Sequence, residues 1–277
     1  MKLPPTIVVW TIIFALLSTG CQENQQPRWY IPDSAAKANA VTGKGDLYGH
    51  YVCRDFIELA GARKSVRQVR TRPIFLEIVF KPEYGDSVLL ITGYENFFAL
   101  WKQRTNDWIE IKNVLPNRDV LLFTHEGYRE ISLTDTLKGR EGGRQVHNWV
   151  FTKTVNEYPA KGGNKPTMIY GWVNKEMIVG NYTLPGNPEN VIFEASGTIT
   201  GWNAYNNYEI CMGGSCFRLM DSPMDIITLS GNDSTDNYGL VIGPDSLHFY
   251  TLAGEKGGRD SSRQLKEKAW AMRRNNN

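Results

Sequence analysis

The chain has 277 residues, and its 31 Lys and Arg against 29 Asp and Glu give a formal net charge of +2. This balance does not indicate a protein that coats nucleic acid, and a hydrophobic content of 41% excludes an acidic, disordered chain. At this length the chain can bury one large core or two smaller ones. We therefore expect a folded protein without nucleic acid as a partner.

Residues 1–20 have the pattern of an export signal. Lys2 precedes an apolar run over residues 7–17, which is shorter than the roughly 20 residues that a membrane-spanning helix needs. The run ends in Leu-Ser-Thr-Gly followed by Cys21. These residues resemble the lipobox of bacterial lipoproteins. An ordinary cleaved signal with an incidental cysteine is the alternative.

The lipobox resemblance implies that the signal is cleaved before Cys21 and that Cys21 is lipidated, which would anchor the chain to a membrane. Gln22 rather than Asp follows the cysteine, and the sorting rule of this family then directs the protein to the outer membrane of a Gram-negative cell. Residues 21–45 are polar and show no periodic pattern, so they predict a flexible tether.

From residue 46 onward the chain alternates short strand-like runs with turns. About eight runs rich in β-branched and aromatic residues occur in residues 46–156, and about eight more in residues 168–255. An antiparallel meander of this size closes into a small barrel, which removes exposed sheet edges. We therefore predict an all-β fold with two tandem meander barrels. One large barrel or sandwich is the alternative.

The two halves also resemble each other in detail. Three landmarks occur in the same order in both, which favours a diverged duplication over chance similarity. They are the Gly-x-Tyr of residues 49–51 and 180–182, the Ile-Thr-Gly segment with following aromatics in residues 91–97 and 199–205, and the aromatic strands that begin at His147 and His248.

The Gly-x-aromatic opening strand, the meander and the lipoprotein signal together resemble the lipocalin-like barrels of bacterial envelope lipoproteins. The opening motif of that family has Trp where this sequence has Tyr51 and Tyr182. The resemblance implies a barrel mouth or interior that holds a small apolar ligand, or a barrel that serves as a recognition module. Core packing is the other role open to the aromatic residues at the repeated sites. The candidate ligand-binding residues are Tyr94, Phe97, Trp101, Trp202 and Tyr205.

Two of the remaining cysteines are placed to form a disulfide. Cys211 and Cys216 flank a Gly-Gly loop between two predicted strands, so a hairpin would bring them within bridging distance. An exported compartment favours the oxidised form. Cys53, in the first predicted strand, is expected to be a buried free thiol.

Two further segments of the sequence give predictions, one about the protein surface and one about the C-terminus. Residues 63–72 contain five basic side chains and no acidic one, which predicts a solvated hairpin tip or, alternatively, a contact with anionic lipid headgroups. Residues 260–274 place Leu265, Ala269 and Met272 on one stripe. This spacing predicts a C-terminal helix over residues 260–274.

The sequence contains no nucleophile elbow, phosphate loop or zinc-protease histidine pair, so we nominate no catalytic residue, metal site or cofactor. The function that we expect is a membrane-anchored envelope lipoprotein acting as a non-enzymatic binding module for a small apolar ligand. The alternatives are an envelope sensor or assembly partner and, less favoured, a hydrolase of unknown class. The expected partners are a membrane through the lipid anchor, the ligand, and an envelope protein.

Overall fold

The architecture comes from a computed structural model of the chain. It describes residues 47–69, 71–93, 95–115, 118–138, 144–154, 168–213, 224–232, 234–253 and 264–275. The predicted signal and tether lie outside these residues, as do Cys21, Tyr94 and Cys216. Within the same ranges, no helix has both the length and the apolar character needed to cross a bilayer.

The first half of the chain is a closed barrel of eight antiparallel strands. Each strand pairs with the next along the chain, and the last pairs with the first. One helix, α1 (Arg54–Arg63), follows the first strand, and two 3-10 turns cover Pro82–Tyr84 and Glu126–Tyr128. The strands are β1 (Gly49–Cys53), β2 (Glu77–Phe80), β3 (Ser87–Ile91), β4 (Asn96–Gln103), β5 (Trp108–Leu115), β6 (Arg118–Thr124), β7 (Glu130–Lys138) and β8 (Arg144–Thr154).

The second half begins with helix α2 (Met168–Met177) and continues as a second eight-stranded antiparallel sheet. Its outer strands β11 and β12 meet at one bridge, between Thr198 and Asn207, so the sheet is a nearly closed barrel. The prediction of two tandem eight-stranded barrels is therefore confirmed. The strands are β9 (Gly180–Thr183), β10 (Val191–Phe193), β11 (Ile199–Thr200), β12 (Asn207–Ile210), β13 (Asp225–Ser230), β14 (Thr235–Ile242), β15 (Ser246–Ala253) and β16 (Gln264–Arg274).

Large side chains fill the interior of the first barrel. The alternation along β5 shows this, because Ile109 and Ile111 are fully buried whereas Trp108, on the opposite face, is 42% exposed. An eight-stranded barrel has an interior just wide enough for side chains to occupy. Other buried side chains of the barrel strands are Tyr51, Ile78, Phe80, Leu90, Trp101, Leu122, Leu133, Trp149 and Phe151.

The opening strands of the two barrels share one arrangement. Tyr51 on β1 and Tyr182 on β9 are both buried, and each hydroxyl donates to the carbonyl oxygen four residues earlier, at 2.9 and 2.7 Å. Each tyrosine pairs with a cationic residue on the last strand of its barrel, Lys153 or Arg274, whose charged group lies over the tyrosine ring. The first landmark of the sequence repeat therefore has the same surroundings in both barrels.

The predicted C-terminal helix is wrong, because residues 264–274 form strand β16. This strand pairs with β15 along its length and with β9 at Arg273 and Arg274, and it buries Met272. Ladder hydrogen bonds and burial outweigh the modest helical preference of the segment. The second domain therefore extends to residue 275, beyond the predicted end at residue 255.

Strand β16 also changes the interpretation of the third landmark of the sequence repeat, the aromatic strands that begin at His147 and His248. His248 lies on β15, the seventh strand of the second barrel, whereas His147 lies on β8, the eighth strand of the first. The two histidines are therefore not equivalent. The equivalent residues are Trp149 and Trp270, because each stands four positions before the cation that pairs with the opening tyrosine.

The apolar and aromatic residues of the first run predict a strand over residues 49–59, but the strand ends at Cys53 and α1 begins at Arg54. Phe56, Ile57 and Ala60 of α1 are buried, and this spacing fits one face of a helix. The connection from α1 to β2 contains the basic segment 63–72. It is not a solvated hairpin tip, because Val66 and Val69 are buried.

That connection contacts the second barrel. The backbone N–H groups of Val66 and Arg67 donate to the carboxylate of Asp225, at 3.2 and 2.7 Å, and Arg72 donates to the carbonyl oxygen of Met212 at 2.7 Å. Both barrels lie within one compact unit that covers residues 41–277. We refer to Val66, Arg67, Arg72 and Asp225 as the barrel junction.

The turn after β11 gives a stability prediction with a matched control. Gly201 and Gly186 both have positive φ, 74° and 82°, so alanine strains either backbone. A Cβ atom at Gly201 would lie 1.9 Å from the carbonyl oxygen of Asn190, whereas no atom lies within 4 Å at Gly186. Denaturant unfolding should show Gly201→Ala to be about 1.5 kcal/mol more destabilising than Gly186→Ala. Equal losses would contradict the steric argument.

Candidate functional site

The candidate residues predicted from the repeat do not meet in one site. Phe97 and Trp101 lie on β4 of the first barrel, whereas Trp202 and Tyr205 follow β11 in the second. Trp101 is buried, with its ring centroid 5.3 Å from that of Phe80. Trp101 therefore belongs to the packed interior of its barrel, which is the alternative role considered for these aromatics.

Trp202 and Tyr205 belong to an aromatic cluster at one end of the second barrel, together with Tyr238, Phe249 and Trp270. Neighbouring ring centroids in this cluster are 4.8–6.2 Å apart, so the rings contact one another. The Tyr205 hydroxyl lies 2.8 Å from that of Tyr238, and burial raises the pKa of both phenols. The cluster is thus a packed end of the barrel.

An opening occurs in the wall of the first barrel, between α1 and β8. Strand β1 ends at Cys53 opposite Phe151, whereas β8 extends back to Arg144, so the earlier part of β8 has no β1 partner. Helix α1 takes the place of β1 there. Asp55, in the first turn of α1, accepts a hydrogen bond from the backbone N–H of Val150 at 2.9 Å and so continues the ladder.

This opening forms a cleft of about 320 Å³. One wall is a stripe of α1 with the helical spacing i, i+4, i+8, and the other is β8. Two residues of the connection to β2 complete the lining. The lining residues are Asp55, Leu59 and Arg63 from α1, Val69 and Thr71 from the connection, and His147, Asn148 and Trp149 from β8.

Two nitrogen atoms of the cleft residues lack partners. Trp149 is 3% exposed, and its indole Nε1 has no hydrogen-bond partner within the described part of the chain; the same holds for Nε2 of His147. The two rings are stacked, with centroids 6.0 Å apart. A buried donor without a partner costs about 1–3 kcal/mol.

Other polar groups of the cleft are already engaged. The Asn148 side chain accepts a hydrogen bond from Thr134 at 2.8 Å, and the carboxylate of Asp55 accepts one from Val150. Arg63 is exposed at the rim and donates to the carbonyl oxygen of Gln68. Arg63 is therefore the cationic side chain among the residues that line the cleft.

A larger groove, of about 1090 Å³, lies beside β16 of the second barrel. Two of its polar side chains are engaged with other residues: the Asn275 side-chain amide donates to that of Asn190 at 3.1 Å, and Thr183 donates to Asn275 at 2.8 Å. The cleft beside α1 is the stronger candidate because apolar side chains of three separate segments, Leu59, Val69 and Trp149, line it together.

Among the described residues, no group of three or more His, Cys, Asp or Glu side chains is placed to hold a metal ion. Burial raises the pKa of the Cys53 thiol, which keeps the thiol protonated and unreactive. Cys211 is buried next to the second barrel, but Cys216 lies outside the described residues, so their disulfide stays a prediction.

Sequence reasoning missed this cleft because α1 was taken for a strand. The sequence around His147 predicts an outward or rim position for this side chain, whereas the structure places His147 among the residues that line the cleft, with its ring stacked on Trp149. The spacing of Asp55, Leu59 and Arg63 was the available signal, since residues four apart share one side of a helix.

Comparisons with known proteins identify no relative of this chain. The chain matches no protein-family model, no curated protein and no solved structure. The function of the chain is therefore inferred from its fold and from the chemistry of the cleft.

Proposed function

We propose that the chain is a membrane-anchored envelope lipoprotein whose two barrels form a non-enzymatic binding module for a small ligand with an apolar surface. The resemblance at Cys21 supports the anchor, and the predicted disulfide between Cys211 and Cys216 fits an exported protein. The observation that carries the binding function is the cleft of about 320 Å³ between α1 and β8, which Leu59, Val69 and Trp149 line together.

The size and lining of the cleft support a ligand of this class. Its volume of about 320 Å³ lies at the lower end of the range for small-molecule sites, about 300–1,000 Å³. Leu59, Val69 and the Trp149 ring supply apolar contact area. The interiors of the barrels are less suitable, because packed side chains occupy the first and the rings of the aromatic cluster pack against one another in the second.

A second candidate function is an assembly partner in the envelope. Large apolar side chains are exposed on the outer wall of the first barrel, among them Phe98 and Leu100 on β4, each 59% exposed, and Leu121 on β6, 51% exposed. Adjacent exposed apolar residues are a feature of protein-protein contact surfaces. This wall would serve a partner without any involvement of the cleft.

We expect residues 22–277, exported with a cleavable signal, to retain a ligand from the cell. The measurement compares the native mass with the denatured mass, and the native mass should exceed the denatured one by the mass of one small molecule. Leu59→Gln should abolish the surplus because it places a polar group in the cleft. Leu59 is 36% exposed, so the fold should tolerate the change.

Leu121→Gln is the matched control for this experiment, because Leu121 is an exposed leucine outside the cleft. The control should keep the surplus. A surplus that survives Leu59→Gln, or is lost equally in both variants, would remove the cleft from the proposed function. The absence of any surplus would favour the assembly-partner function.

A further inference from the structure

The last strand of the first barrel has an edge without a strand neighbour. Strand β1 pairs with β8 as far as Cys53, which lies opposite Phe151, whereas β8 begins at Arg144. Strand β7 covers the other edge of β8 from Arg144 to Thr152. Among the described residues, residues 144–149 therefore have a strand neighbour on one edge and none on the other. We call the uncovered side the free edge of β8.

The hydrogen-bonding groups on the free edge follow from the ladder. In a regular antiparallel sheet, the backbone groups of successive residues point to opposite edges of the strand. The N–H of Lys153 donates towards β7, at 2.8 Å, and the N–H of Val150 donates to Asp55 of α1, at 2.9 Å. By this alternation the N–H and C=O groups of Asn148 and Val146 point to the free edge. Neither residue has a backbone partner there within the described part of the chain.

The free edge faces the cleft. His147, Asn148 and Trp149 are consecutive, so their side chains alternate between the two faces of the sheet, yet all three line the cleft. A space that is reached from both faces of a strand lies at the edge of that strand. Because β7 covers the other edge, the cleft lies along the free one. Asn148, Leu59 and Arg63 are exposed, so the cleft is open to solvent.

The free edge of β8 lacks the features that usually prevent strand addition, which are bulges, lysines and prolines. Strand β16 of the second barrel is the useful contrast, because β9 covers it only at Arg273 and Arg274 in the described ranges. Strand β16 has two register shifts and carries exposed Lys266 and Lys268. Strand β8 pairs with β7 in a regular register, and residues 145–150 contain no lysine or proline. The edge of β8 is therefore open to a further strand.

The opposite wall of the cleft restricts which strand can enter. Helix α1 and the connection to β2 form that wall, so a second folded barrel cannot bring its own sheet edge against β8. A single extended chain matches the spacing of α1. Asp55, Leu59 and Arg63 recur at about 6 Å along the helix axis, and alternate residues of a strand recur at about 6.7 Å.

The side chains of the cleft indicate the composition of such a chain. Leu59 and Val69 offer contacts for an apolar residue. The carboxylate of Asp55 is engaged by Val150, whereas Arg63 places a cation at the rim and Lys64 follows it. An acidic residue two positions after the apolar one would lie beside Arg63, because both would be on one face of the strand.

We infer that the cleft between α1 and β8 binds an extended peptide segment, which adds as a strand to the free edge of β8. Its backbone exchanges hydrogen bonds with Val146 and Asn148, its apolar side chain contacts Leu59, and its acidic side chain pairs with Arg63. This inference rests on the proposed function and names the ligand class for the same site.

Calorimetric titration with a short peptide tests the inference. The protein is residues 22–277, freed of any retained ligand by denaturation and refolding, and the probe is Thr-Val-Thr-Glu-Thr with an acetylated N-terminus and an amidated C-terminus. Two derivatives carry N-methyl groups, one on the valine and the glutamate, the other on the first two threonines. Because one edge of the peptide faces β8, one derivative should bind at least about tenfold more weakly and the other should keep its affinity. Equal affinities of the derivatives, or no binding up to about 1 mM of the unmodified peptide, would overturn the inference.

Amide hydrogen exchange along β8 tests the same edge without changing the protein. In the free protein the amides of Val146 and Asn148 should exchange rapidly, whereas those of His147 and Trp149, which point to β7, should be protected. The peptide should slow exchange at Val146 and Asn148 at least about tenfold. Protection of these two amides before the peptide is added would overturn the inference, because the edge would already be covered.

A substitution on the free edge should block the peptide. Asn148→Pro removes an N–H that points away from β7, a position at which an edge strand tolerates proline, and peptide affinity should fall at least about tenfold. Thr134→Ala is the matched control, because it removes the hydrogen bond that the Asn148 side chain accepts, at 2.8 Å, and leaves the edge intact. The control should keep its affinity. Should Asn148→Pro unfold, the methylated peptides and the exchange pattern still decide.

The charge at the rim has a separate test. Arg63→Gln, at an exposed position, should weaken binding of the peptide about threefold and reduce the dependence of its affinity on salt. Unchanged affinity and salt dependence would remove the acidic residue from the inferred ligand.

Failure of this inference and failure of the proposed function give different results. If the peptide does not bind, but the cell-derived protein retains a non-peptide molecule that Leu59→Gln abolishes, strand addition fails and the proposed function stands. If the peptide does not bind and the cell-derived protein shows no mass surplus, both fail. A surplus that fragments as a peptide supports both.

Discussion

Asp225→Ala should lower the free energy of unfolding by about 4 kcal/mol, because it removes the acceptor at the barrel junction. Asp225 is 1% exposed and accepts the backbone N–H groups of Val66 and Arg67. Without the carboxylate these donors lose their partner, and the neighbouring charge of Arg72 loses the anion that compensates it. Denaturant unfolding at neutral pH measures the loss.

Asp236→Ala is a suitable comparison. Asp236, like Asp225, lies near the start of a strand of the second barrel, but its side chain is only partly buried. Its carboxylate accepts one hydrogen bond, from Tyr205 at 3.1 Å. We expect a loss of about 1 kcal/mol for this variant. Losses of similar size in the two variants would mean that the barrel junction contributes little to stability.

Asp225 also predicts a dependence of stability on pH. Burial raises its pKa from 3.8 to about 6, against the lowering effect of the Arg67 N–H and of Arg72. The folded protein therefore takes up this proton before the unfolded chain does. The resulting stabilisation is complete below the unfolded pKa and is lost as the pH rises through about 6.

The pH effect is measured as a difference between two proteins. From pH 7 to pH 5, wild type should gain about 1 kcal/mol relative to Asp225→Asn, because asparagine keeps the size of the side chain and does not titrate. Subtracting the variant removes the contributions of the histidines and other carboxylates. A parallel pH dependence in both proteins would show that Asp225 is ionised throughout this range.

Glu77→Ala is expected to cost about 3 kcal/mol, because it removes the carboxylate that joins α2 to the first barrel. Glu77 is fully buried; one of its oxygens lies 3.2 Å from Nδ1 of His50, and the other accepts the backbone N–H of Ile169 at 3.1 Å. Ile169 stands in the first turn of α2, where an anion interacts favourably with the helix dipole.

Hydrogen exchange of the α2 amides, together with denaturant unfolding, checks this prediction. Exchange should accelerate in α2 before it accelerates in the strands of the first barrel. Glu83→Ala is the control, because Glu83 is 63% exposed and its only recorded ion pair within the described residues, with Lys81, spans 3.9 Å. A Glu77→Ala protein as stable as this control would remove the proposed role of Glu77.

The cleft and the barrel junction share one segment of the chain, the connection from α1 to β2. Val69 and Thr71 line the cleft, and they belong to the same connection as Val66 and Arg72 of the barrel junction. The segment that lines part of the cleft therefore also contacts the second barrel. This segment and α2 connect the two barrels.

The fold class was predictable because strand patterns are local. Alternation such as that of Ile109 and Ile111 repeats every second residue, and one buried face is enough to produce it. The opening motif of residues 49–51 and 180–182 was predictable for the same reason. It combines a glycine at the strand start with an aromatic residue two positions later, and both lie within one strand.

The incorrect secondary-structure predictions fall on segments whose local sequence preference differs from the structure that tertiary contacts impose. Residues 264–274 have helical spacing, yet they form β16, because the barrel needs an eighth strand to pair with β15 and β9. Residues 54–63 follow a strand directly and form α1, whose buried face packs beside β8. Neither outcome depends on the segment alone.

The sequence by itself determined the all-β class, the division into two similar barrels and the positions of most strands, because these depend on periodicity and turn residues within short windows. Only the tertiary structure decided the site. The cleft brings together Asp55, Val69 and Trp149, which are far apart in the chain, and it exists because β1 ends before β8 does. The lengths of strands that pair across a barrel are set by closure of the whole sheet, and no local pattern records them.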